Sequence, residues 1–382
     1  MALPFTQSSS WIWSAEGTHA APAPENATPS HYQVRMFRRT FEIPAGDYSA
    51  KTREVQVSAD SRYLLYCNGT LLGRGPAKGD VNHHFYETFD LGPHLRAGRN
   101  VLAALVLDMS LVAHRPTQLG APCSVMTYAG GFVLDGGELS SDGKWKVAVD
   151  TAHRFQNEGT TFEGYLGYFE HRVSKLIPTG WTEAEFDDAA WPAATVLYQA
   201  ERLENRRDPT SPYGLVPRMI PMLPEDPVTR FRDAFHAGGD EAPPEWRAML
   251  ARDSLVTLAP HTTTELILDV GELTTGFPRL ETSGGVGANV RLTYAEALRL
   301  PWGTPGAKLL GRQQSLANLA SHFADESTGW TFDRRGKISG WCDIWEPAGA
   351  GLETFEPLHW RTFRYVGLRI TTGAAPLEIQ AA

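Results

Sequence analysis

The chain has 382 residues, of which 42% are hydrophobic and 21% are charged, a balance that excludes a disordered tail and a membrane protein. Its formal net charge of -9 argues against a nucleic-acid-binding protein, which needs a basic face to contact phosphates. At roughly 150 residues per domain, the length predicts two to three domains with sizeable cores.

The residue composition favours short strands over long helices. The chain contains 11 Trp, 36 Gly and 26 Pro, a mixture that suits strands joined by many turns. Its 3 cysteines lie far apart, so we expect free thiols rather than a disulfide framework or a zinc knuckle. The N-terminus has no signal-peptide pattern and no window is apolar enough for a membrane helix, which predicts a cytoplasmic chain without a membrane partner.

The first 204 residues predict an antiparallel β-sandwich. The stretch VRMFRRTFEIP at 34–44 alternates apolar side chains with basic or polar ones, as half-buried strands do. Asn68 and Gly69 lie between two apolar runs, and this dipeptide is the strongest short-range signal for a hairpin with a type I′ turn. Similar runs continue to about residue 109, so we assign 1–204 to a first sandwich region.

A connector and a second sandwich are predicted for the remaining chain. Residues 205–253 are rich in Pro and Arg and have little periodicity, which indicates an extended connector with one short helix near 240–252. The two prolines of that helix must lie in its first turn. Strand patterns return over 254–382, where an insertion at 301–345 carries several tryptophans.

Motifs for catalysis, cofactors and metals are missing from the sequence. No complete P-loop, dinucleotide fingerprint, HExxH motif, GxSxG elbow or EF-hand loop is found, so we predict no catalytic residue, no cofactor and no metal site. The aromatic residues of the insertion are the remaining clue, because aromatic rings stack on the apolar faces of sugars. We therefore take them as candidate carbohydrate contacts, with core packing as the alternative, at Trp302, Trp330, Trp341 and Trp345.

Several segments resemble the front half of bacterial and fungal α-L-rhamnosidases of glycoside hydrolase family 78. They are WIWS with MFRRTFEIP, the run VSADSRYLLYCNGTLLGRGPAKGD, and later LILDVGELTTGFPRLETSGG and EPLHWRTFRYVGLRI. The resemblance implies an all-β fold of two antiparallel β-sandwich modules, jelly-roll or galactose-binding-like, joined by the Pro-rich connector. It also assigns turn geometry and buried hydrogen bonds, with sugar contact as the alternative, to Asp60, Arg62, Tyr63, Asn68, Gly69, Arg74, Gly75, Pro76, Asp80, Tyr294 and Glu296.

In that family, the resemblance implies, the catalytic carboxylates are carried on an (α/α)6 barrel that follows the second sandwich. No segment of this chain predicts such a barrel, so we transfer no catalytic residue. The first hypothesis is therefore a non-catalytic, rhamnosidase-like protein, either a truncated gene product or half of a split enzyme. It would bind rhamnose-containing carbohydrate, dock onto a helical-barrel catalytic partner, or self-associate.

Two other hypotheses remain open at this point. The chain could be a complete glycoside hydrolase or lyase with a site between the sandwiches, where Glu296 or Asp343 would supply an acid. It could instead be a purely structural or oligomerisation module, which would bind no sugar.

Overall fold

In the computed structural model of the chain, segments with alternating apolar and polar side chains form β-strands. The structure describes residues 9–15, 33–45, 53–80, 82–108, 130–155, 169–224, 230–312 and 328–382. Strands dominate this part of the chain and pair mostly antiparallel, which confirms the all-β prediction. No helix in the described ranges has both the length and the apolar character needed to cross a membrane.

The described part of the chain contains 25 strands, numbered here in chain order. The first nine are β1 (Ser10–Trp13), β2 (Gln33–Ile43), β3 (Glu54–Asp60), β4 (Arg62–Cys67), β5 (Thr70–Gly75), β6 (His84–Asp90), β7 (Gly98–Asp108), β8 (Gly131–Asp135) and β9 (Lys146–Val149). The next eight are β10 (His153–Phe155), β11 (Glu170–Val173), β12 (Thr195–Gln199), β13 (Leu215–Pro217), β14 (Asp233–Phe235), β15 (Val256–Leu258), β16 (Thr263–Gly276) and β17 (Leu280–Gly284). The last eight are β18 (Asn289–Ala295), β19 (Leu298–Pro301), β20 (Leu309–Arg312), β21 (Thr328–Thr331), β22 (Cys342–Glu346), β23 (Glu353–Phe355), β24 (Arg361–Thr371) and β25 (Leu377–Ala381).

The chain forms two compact units. Unit 1 lies within Met1–Thr151, Glu158–Gly167 and Pro178–Glu225, and unit 2 within Ala152–Asn157, Tyr168–Ile177 and Asp226–Ala382. Unit 2 therefore includes two short segments that interrupt unit 1 in the sequence. The predicted boundaries at 204 and 253 stay predictions about where the domains can be separated.

Unit 1 contains two sheets around an aromatic core. One sheet has the order β12-β1-β8-β3-β6-β13 and the other β5-β4-β7-β2-β9. Strands β2 and β7 pair antiparallel along their full length. The buried side chains that the two sheets share include Trp13, Phe37, Phe132 and Trp145, and this burial is the main stabilising contribution to the sandwich.

The Asn-Gly hairpin is confirmed. Asn68 and Gly69 connect β4 to β5 and have φ angles of 49° and 81°, the positive values that a type I′ turn requires. The Asn68 side chain also accepts a hydrogen bond from the Val101 amide at 2.9 Å and donates one to the His94 carbonyl at 2.9 Å. The turn is thereby attached to the start of β7 and the loop before it.

Unit 2 is built on a seven-stranded sheet with the order β10-β11-β22-β18-β24-β16-β14. A four-stranded sheet, β15-β25-β17-β23, and the single α-helix of the described residues, α1 (Pro244–Leu250), supply further side chains to the same core. Pro244 occupies the first turn of α1, as predicted, whereas Pro243 is the N-cap residue just before it. A small third sheet, β19-β21-β20, is formed by the described part of the insertion, whose residues 313–327 lie outside it.

The segment predicted as an extended connector takes part in both units. Strand β13 pairs with β6 in unit 1, and β14 pairs with β16 in unit 2. Both strands are three residues long, too short for the alternation from which strands are predicted. Of the cysteines, Cys67 and Cys342 are free, as predicted, and Cys123 lies outside the described residues.

Candidate functional site

The insertion presents two tryptophans at its surface. Trp302 lies in the turn after β19 and is 38% exposed. Trp330 lies on β21 and is half-buried, and the guanidinium of Arg299 stands 4.6 Å from the centroid of its ring. Each ring keeps an accessible part, so sugar contact stays a prediction for these two residues.

The other two tryptophans of the insertion pack against the core of unit 2. Trp345 is fully buried, donates a hydrogen bond from Nε1 to Ser174 Oγ at 2.8 Å, and stacks on Phe355. Because a buried ring has no face open to a ligand, this burial favours, for Trp345, the core packing that the sequence left as the alternative to sugar contact. Trp341 is partly buried and stacks on Phe169, with the ring centroids 6.0 Å apart.

A buried ionic cluster joins four neighbouring strands of unit 2. The Arg361 guanidinium donates to both oxygens of Asp343, from Nη2 to Oδ1 at 2.8 Å and from Nε to Oδ2 at 3.0 Å. The Tyr294 hydroxyl donates to Asp343 Oδ2 at 2.7 Å, and the Glu170 amide donates to Asp343 Oδ1 at 2.7 Å. A second carboxylate, Glu170 Oε1, lies 3.8 Å from Arg361 Nη2.

The two carboxylates of this cluster have different electrostatic situations. Burial, together with the negative charge of Asp343, raises the pKa of Glu170 to about 7. Burial is the largest single influence on the pKa of Arg361 and lowers it, but the charge and hydrogen bonds of Asp343 together with the charge of Glu170 outweigh burial, and the net shift is upward. The cluster therefore holds one firmly ionised guanidinium and one carboxyl group that tends to keep its proton.

The acid proposed for a catalytic role is held inside this cluster. Asp343 is fully buried and both of its oxygens accept hydrogen bonds, so it has no open position from which to protonate a substrate. The other proposed acid, Glu296, lies in the exposed turn between β18 and β19.

A second buried network in unit 1 contains several positions named by the resemblance. Glu87 accepts hydrogen bonds from the Tyr63 hydroxyl at 2.7 Å, the Ala77 amide at 2.7 Å and Arg218 Nη1 at 2.8 Å. Gly75 lies directly against it, since a Cβ there would stand 2.5 Å from Glu87 Oε2. Burial raises the pKa of Glu87 even though these three donors oppose the shift.

The remaining positions named by the resemblance are divided between the interior and a surface turn. Asp60, Arg62 and Arg74 are buried in unit 1. Asp80 is exposed and accepts hydrogen bonds from the amides of Asn82 at 2.7 Å and His83 at 3.0 Å, so it stabilises a turn. Turn geometry describes Asp80, whereas for the buried side chains Asp60, Arg62 and Arg74 the roles implied by the resemblance stay predictions.

A cavity in unit 1 was not anticipated from the sequence. It lies between the end of β2, the start of β3 and the turn after β8, and has a volume of about 320 Å³. Its walls are formed by Arg39, Phe41, Glu42, Ile43, Pro44, Arg53, Glu138 and Leu139. The one signal in the sequence is the spacing of Arg39, Phe41 and Ile43, which places them on one face of β2.

In the described ranges, no group of three metal-ligating side chains is found.

Comparison with known proteins gives two kinds of similarity. The chain is 29% identical over 196 residues to an α-L-rhamnosidase of Streptomyces avermitilis, a match that covers 50% of this chain and 15% of that protein. The fold matches a GH78 family rhamnosidase of Bacillus sp. GL1 with a TM-score of 0.63 at 15% identity, over 100% of this chain and 55% of the other. It matches α-L-rhamnosidase from Dictyoglumus thermophilum with a TM-score of 0.55 at 17% identity, over 97% of this chain and 35% of the other.

No protein-family model matches the chain. The chain is also much shorter than the rhamnosidases, since it spans about half of the Bacillus protein and smaller shares of the others. The similarity nevertheless includes sequence over half of the chain and fold over nearly all of it. The resemblance to the front part of α-L-rhamnosidases of glycoside hydrolase family 78, inferred from the residues, is therefore confirmed.

Proposed function

We propose that the chain is a non-catalytic β-sandwich protein that binds carbohydrate, rhamnose-containing carbohydrate in particular, for a glycoside hydrolase related to α-L-rhamnosidases. The sequence match to the Streptomyces avermitilis α-L-rhamnosidase carries this proposal. The step from that match to this chain is one of similarity, because fold alone does not decide function.

The placement of the acidic residues supports a non-catalytic role. Glycoside hydrolysis requires two carboxyl groups that face a common substrate from roughly 5 to 9.5 Å apart. Glu170 and Asp343 lie close together, but both are buried and share Arg361 as their partner. A complete glycoside hydrolase or lyase that uses Asp343 as its acid is accordingly the weaker alternative.

The exposed aromatic residues of the insertion support sugar binding. Trp302 is 38% exposed and Phe332, next to β21, is 45% exposed. Exposed rings of this kind provide apolar area that can cover the C–H face of a pyranose. These rings are the part of unit 2 that would contact the sugar under this proposal.

Docking onto a partner is a second candidate function, favoured by one feature of unit 1. The segment after β13 exposes four apolar side chains, Met219, Ile220, Met222 and Leu223, by 80%, 59%, 43% and 46%. Contiguous apolar surface of this kind commonly marks a protein interface. The expected partners are the helical-barrel catalytic protein implied by the resemblance and a second copy of this chain.

Two measurements on the purified chain test the proposed function. Calorimetry with methyl α-L-rhamnoside should give saturable binding, and incubation with p-nitrophenyl α-L-rhamnoside should release no nitrophenol. Turnover that exceeds the background would contradict the non-catalytic role. Failure to bind this or any other neutral sugar in a panel would contradict carbohydrate binding and favour the docking function.

A further inference from the structure

We propose that one face of the seven-stranded sheet of unit 2, around Arg291 and Arg369, binds an acidic saccharide, that is, a sugar chain that carries carboxylate groups. This inference rests on the proposed carbohydrate-binding function for the choice of a saccharide, and on the charges of the sheet for the choice of an acidic one. The residues involved are different from the tryptophans of the insertion.

The seven-stranded sheet has an inner face, which packs against the core of unit 2, and an outer face. Strands β18 and β24 direct alternate residues into that core, so Arg291 and Arg369 lie on the outer face. Gly367, two residues before Arg369, is covered by Ile338, whose Cγ2 would stand 2.9 Å from a Cβ there. Both arginines are exposed, so this cover does not extend to them. The outer face is therefore open around the two arginines.

Cationic side chains form a row across the outer face. The register of the strands aligns one residue from each of six strands along this row: Arg154, His171, Ile344, Arg291, Arg369 and Glu265. Because neighbouring strands lie about 4.8 Å apart, the row is about 24 Å long. Three of its members are arginines and one is an acid, in a chain whose formal net charge is -9. The row thus has a local charge opposite in sign to that of the whole chain, and it attracts anions.

Arg291 is a cation of this row without a counter-charge. Its guanidinium makes no hydrogen bond or ion pair within the part of the chain that the structure describes. Arg369 lies directly opposite it on β24, and like charges in opposite positions destabilise an antiparallel pair. Arg369 is offset by Glu265 at 3.1 Å, on the strand beyond it. A carboxylate bound at Arg291 would supply the missing counter-charge and could accept two parallel hydrogen bonds from the guanidinium.

Side chains that both donate and accept hydrogen bonds flank the arginines. Asn289 and Thr293 lie two residues before and after Arg291 on β18, and Thr371 lies two residues after Arg369 on β24. Residues at this spacing share one face of a strand. Threonine hydroxyls and the asparagine amide can pair with sugar hydroxyls in either direction, whereas the carboxylates of an acidic peptide only accept. Arginines with such neighbours therefore favour a saccharide that carries carboxylates over an acidic protein segment.

The test is calorimetric titration of the full chain with trigalacturonate, a linear chain of uronic acids, and with its fully methyl-esterified form, which has the same rings without the charges. We expect saturable binding of trigalacturonate that weakens with added salt, and binding of the ester that is weaker by about tenfold or more. Arg291→Gln should weaken trigalacturonate by about tenfold, the loss expected when a charged hydrogen-bond partner is removed. Arg207→Gln is the matched control, since Arg207 is an exposed arginine of unit 1.

A charge reversal separates loss of the site from loss of the fold. In Arg291→Glu, the new carboxylate would lie opposite Arg369, so repulsion across the two strands is replaced by attraction. The denaturation midpoint should be at least as high as that of wild type, while binding of trigalacturonate is lost. A lower midpoint would contradict the like-charge pair, and unchanged affinity of either Arg291 variant would overturn the inference.

Two further probes, methyl α-L-rhamnoside and poly-L-glutamate, distinguish this inference from the proposed function and from an acidic protein partner. If the rhamnoside binds and trigalacturonate does not, the proposed function stands and the inference is overturned. If trigalacturonate binds through Arg291 and the rhamnoside does not bind, the inference stands and the preference for rhamnose fails. Binding of poly-L-glutamate through Arg291 as tightly as trigalacturonate would overturn the assignment to a saccharide. If no probe binds, both proposals are overturned.

Discussion

Two carboxyl groups next to one guanidinium show how position decides the charge of a residue. Asp343 receives two hydrogen bonds from Arg361, whereas Glu170 lies 3.8 Å from the same guanidinium. Glu170 Oε1 instead accepts a hydrogen bond from the Leu358 amide at 2.5 Å. Asp343 therefore provides the counter-charge, and Glu170 is the carboxyl group whose ionisation is opposed.

We expect Glu170 to make stability fall as the pH rises. Its pKa is about 7 in the folded chain, against an ordinary value of 4.5. The folded chain thus holds this proton more tightly than the unfolded chain, and the resulting stabilisation is complete below pH 4.5 and is lost as the pH passes 7. In urea unfolding, Glu170→Gln should become more stable relative to wild type between pH 5 and pH 8, by up to about 3 kcal/mol.

The neighbouring carboxylate provides the contrast for this experiment. Asp343→Asn removes the bidentate partner of a buried guanidinium and should cost about 3–5 kcal/mol in the free energy of unfolding. If Glu170→Gln and wild type showed the same pH dependence from pH 5 to pH 8, the raised pKa of Glu170 would be wrong. Equal losses in the free energy of unfolding for Glu170→Gln and Asp343→Asn would contradict the different roles assigned to the two carboxyl groups.

A single methyl group tests the buried network around Glu87. In Gly75→Ala, the new Cβ would stand 2.5 Å from Glu87 Oε2 and 2.7 Å from the Tyr63 hydroxyl oxygen. Both side chains are buried, so the overpacking should reduce the free energy of unfolding by about 1–3 kcal/mol. Gly143→Ala is the control, because the atom nearest to its new Cβ would be the Ala194 carbonyl oxygen at 3.9 Å. Equal denaturation midpoints for the two variants would contradict the close packing at Gly75.

Individual residues could be predicted only where local geometry governs them. The positive φ angles at Asn68 and Gly69 follow from the dipeptide itself. The cluster of Glu170, Asp343 and Arg361 depends on which strands become neighbours, and Glu170 is 173 positions away from Asp343 in the sequence. For Trp345, the sequence left sugar contact and core packing both open, because its position in the insertion gave no information about its burial.

At the scale of structural elements, one arginine of β2 connects a loop to a sheet of unit 1 through hydrogen bonds. Arg38, on β2, is fully buried and donates hydrogen bonds to Asp188 Oδ2 at 2.9 Å and to the carbonyl of Glu183 at 3.1 Å. It also donates to the carbonyl of Trp181 and lies 4.9 Å from the centroid of the Phe186 ring. This guanidinium is therefore a main attachment of the loop 181–188, beside the hydrogen bond from the Gly69 amide to the Thr182 carbonyl at 2.9 Å.

Replacing this guanidinium should release the loop. We expect Arg38→Met to lower the free energy of unfolding by about 3 kcal/mol, because it leaves Asp188 and two carbonyls without their charged donor. Hydrogen exchange should accelerate in residues 181–188 before it does so in β2. Lys144→Met, at a side chain that is 73% exposed, should change neither quantity measurably. Uniform acceleration throughout unit 1 would indicate that Arg38 supports the core rather than the loop.

Elements with strong local patterns could be predicted, and elements formed by distant pairing could not. The strand predicted at 34–44 and the prolines at the start of α1 correspond to observed elements. The expectation that this strand is half-buried was wrong for its first half, because β2 buries the consecutive residues 34–38 rather than alternate ones. Strands β13 and β14 exist because β6 and β16 provide edges for pairing, which no local pattern reveals. The cavity of unit 1 was missed for the same reason, since Glu138 joins β2 only in the folded sandwich.

At the scale of the whole molecule, the exposed apolar segment 219–223 predicts association. Arg218, just before it, pairs with buried Glu87 at 2.8 Å, so the start of the segment is anchored to unit 1. In a solution of the pure chain, the available partner is a second copy. Light scattering should show a mass that increases with concentration, and serine at Met219, Ile220, Met222 and Leu223 should give a monomer. A wild-type chain that stays monomeric at high concentration would contradict this prediction.

The overall architecture was predictable because composition, turn signals and resemblance agree. The fold matches rhamnosidases over nearly the whole chain even where identity is 15–17%. Which residues belong to each of the two units was not predictable, because residues 152–157 and 168–177 belong to unit 2 although unit 1 residues flank them in the sequence. The assignment of these segments to unit 2 depends on long-range contacts, which the residue composition does not reveal.

The proposal that this chain binds carbohydrate without hydrolysing it can be tested in a single titration. Titration of the purified chain with p-nitrophenyl α-L-rhamnoside, followed by calorimetry for binding and by absorbance for nitrophenol, reports both properties in one sample. We expect saturable heat of binding and no release of nitrophenol. Release of nitrophenol in proportion to protein concentration would contradict the proposal, and so would the absence of any binding heat.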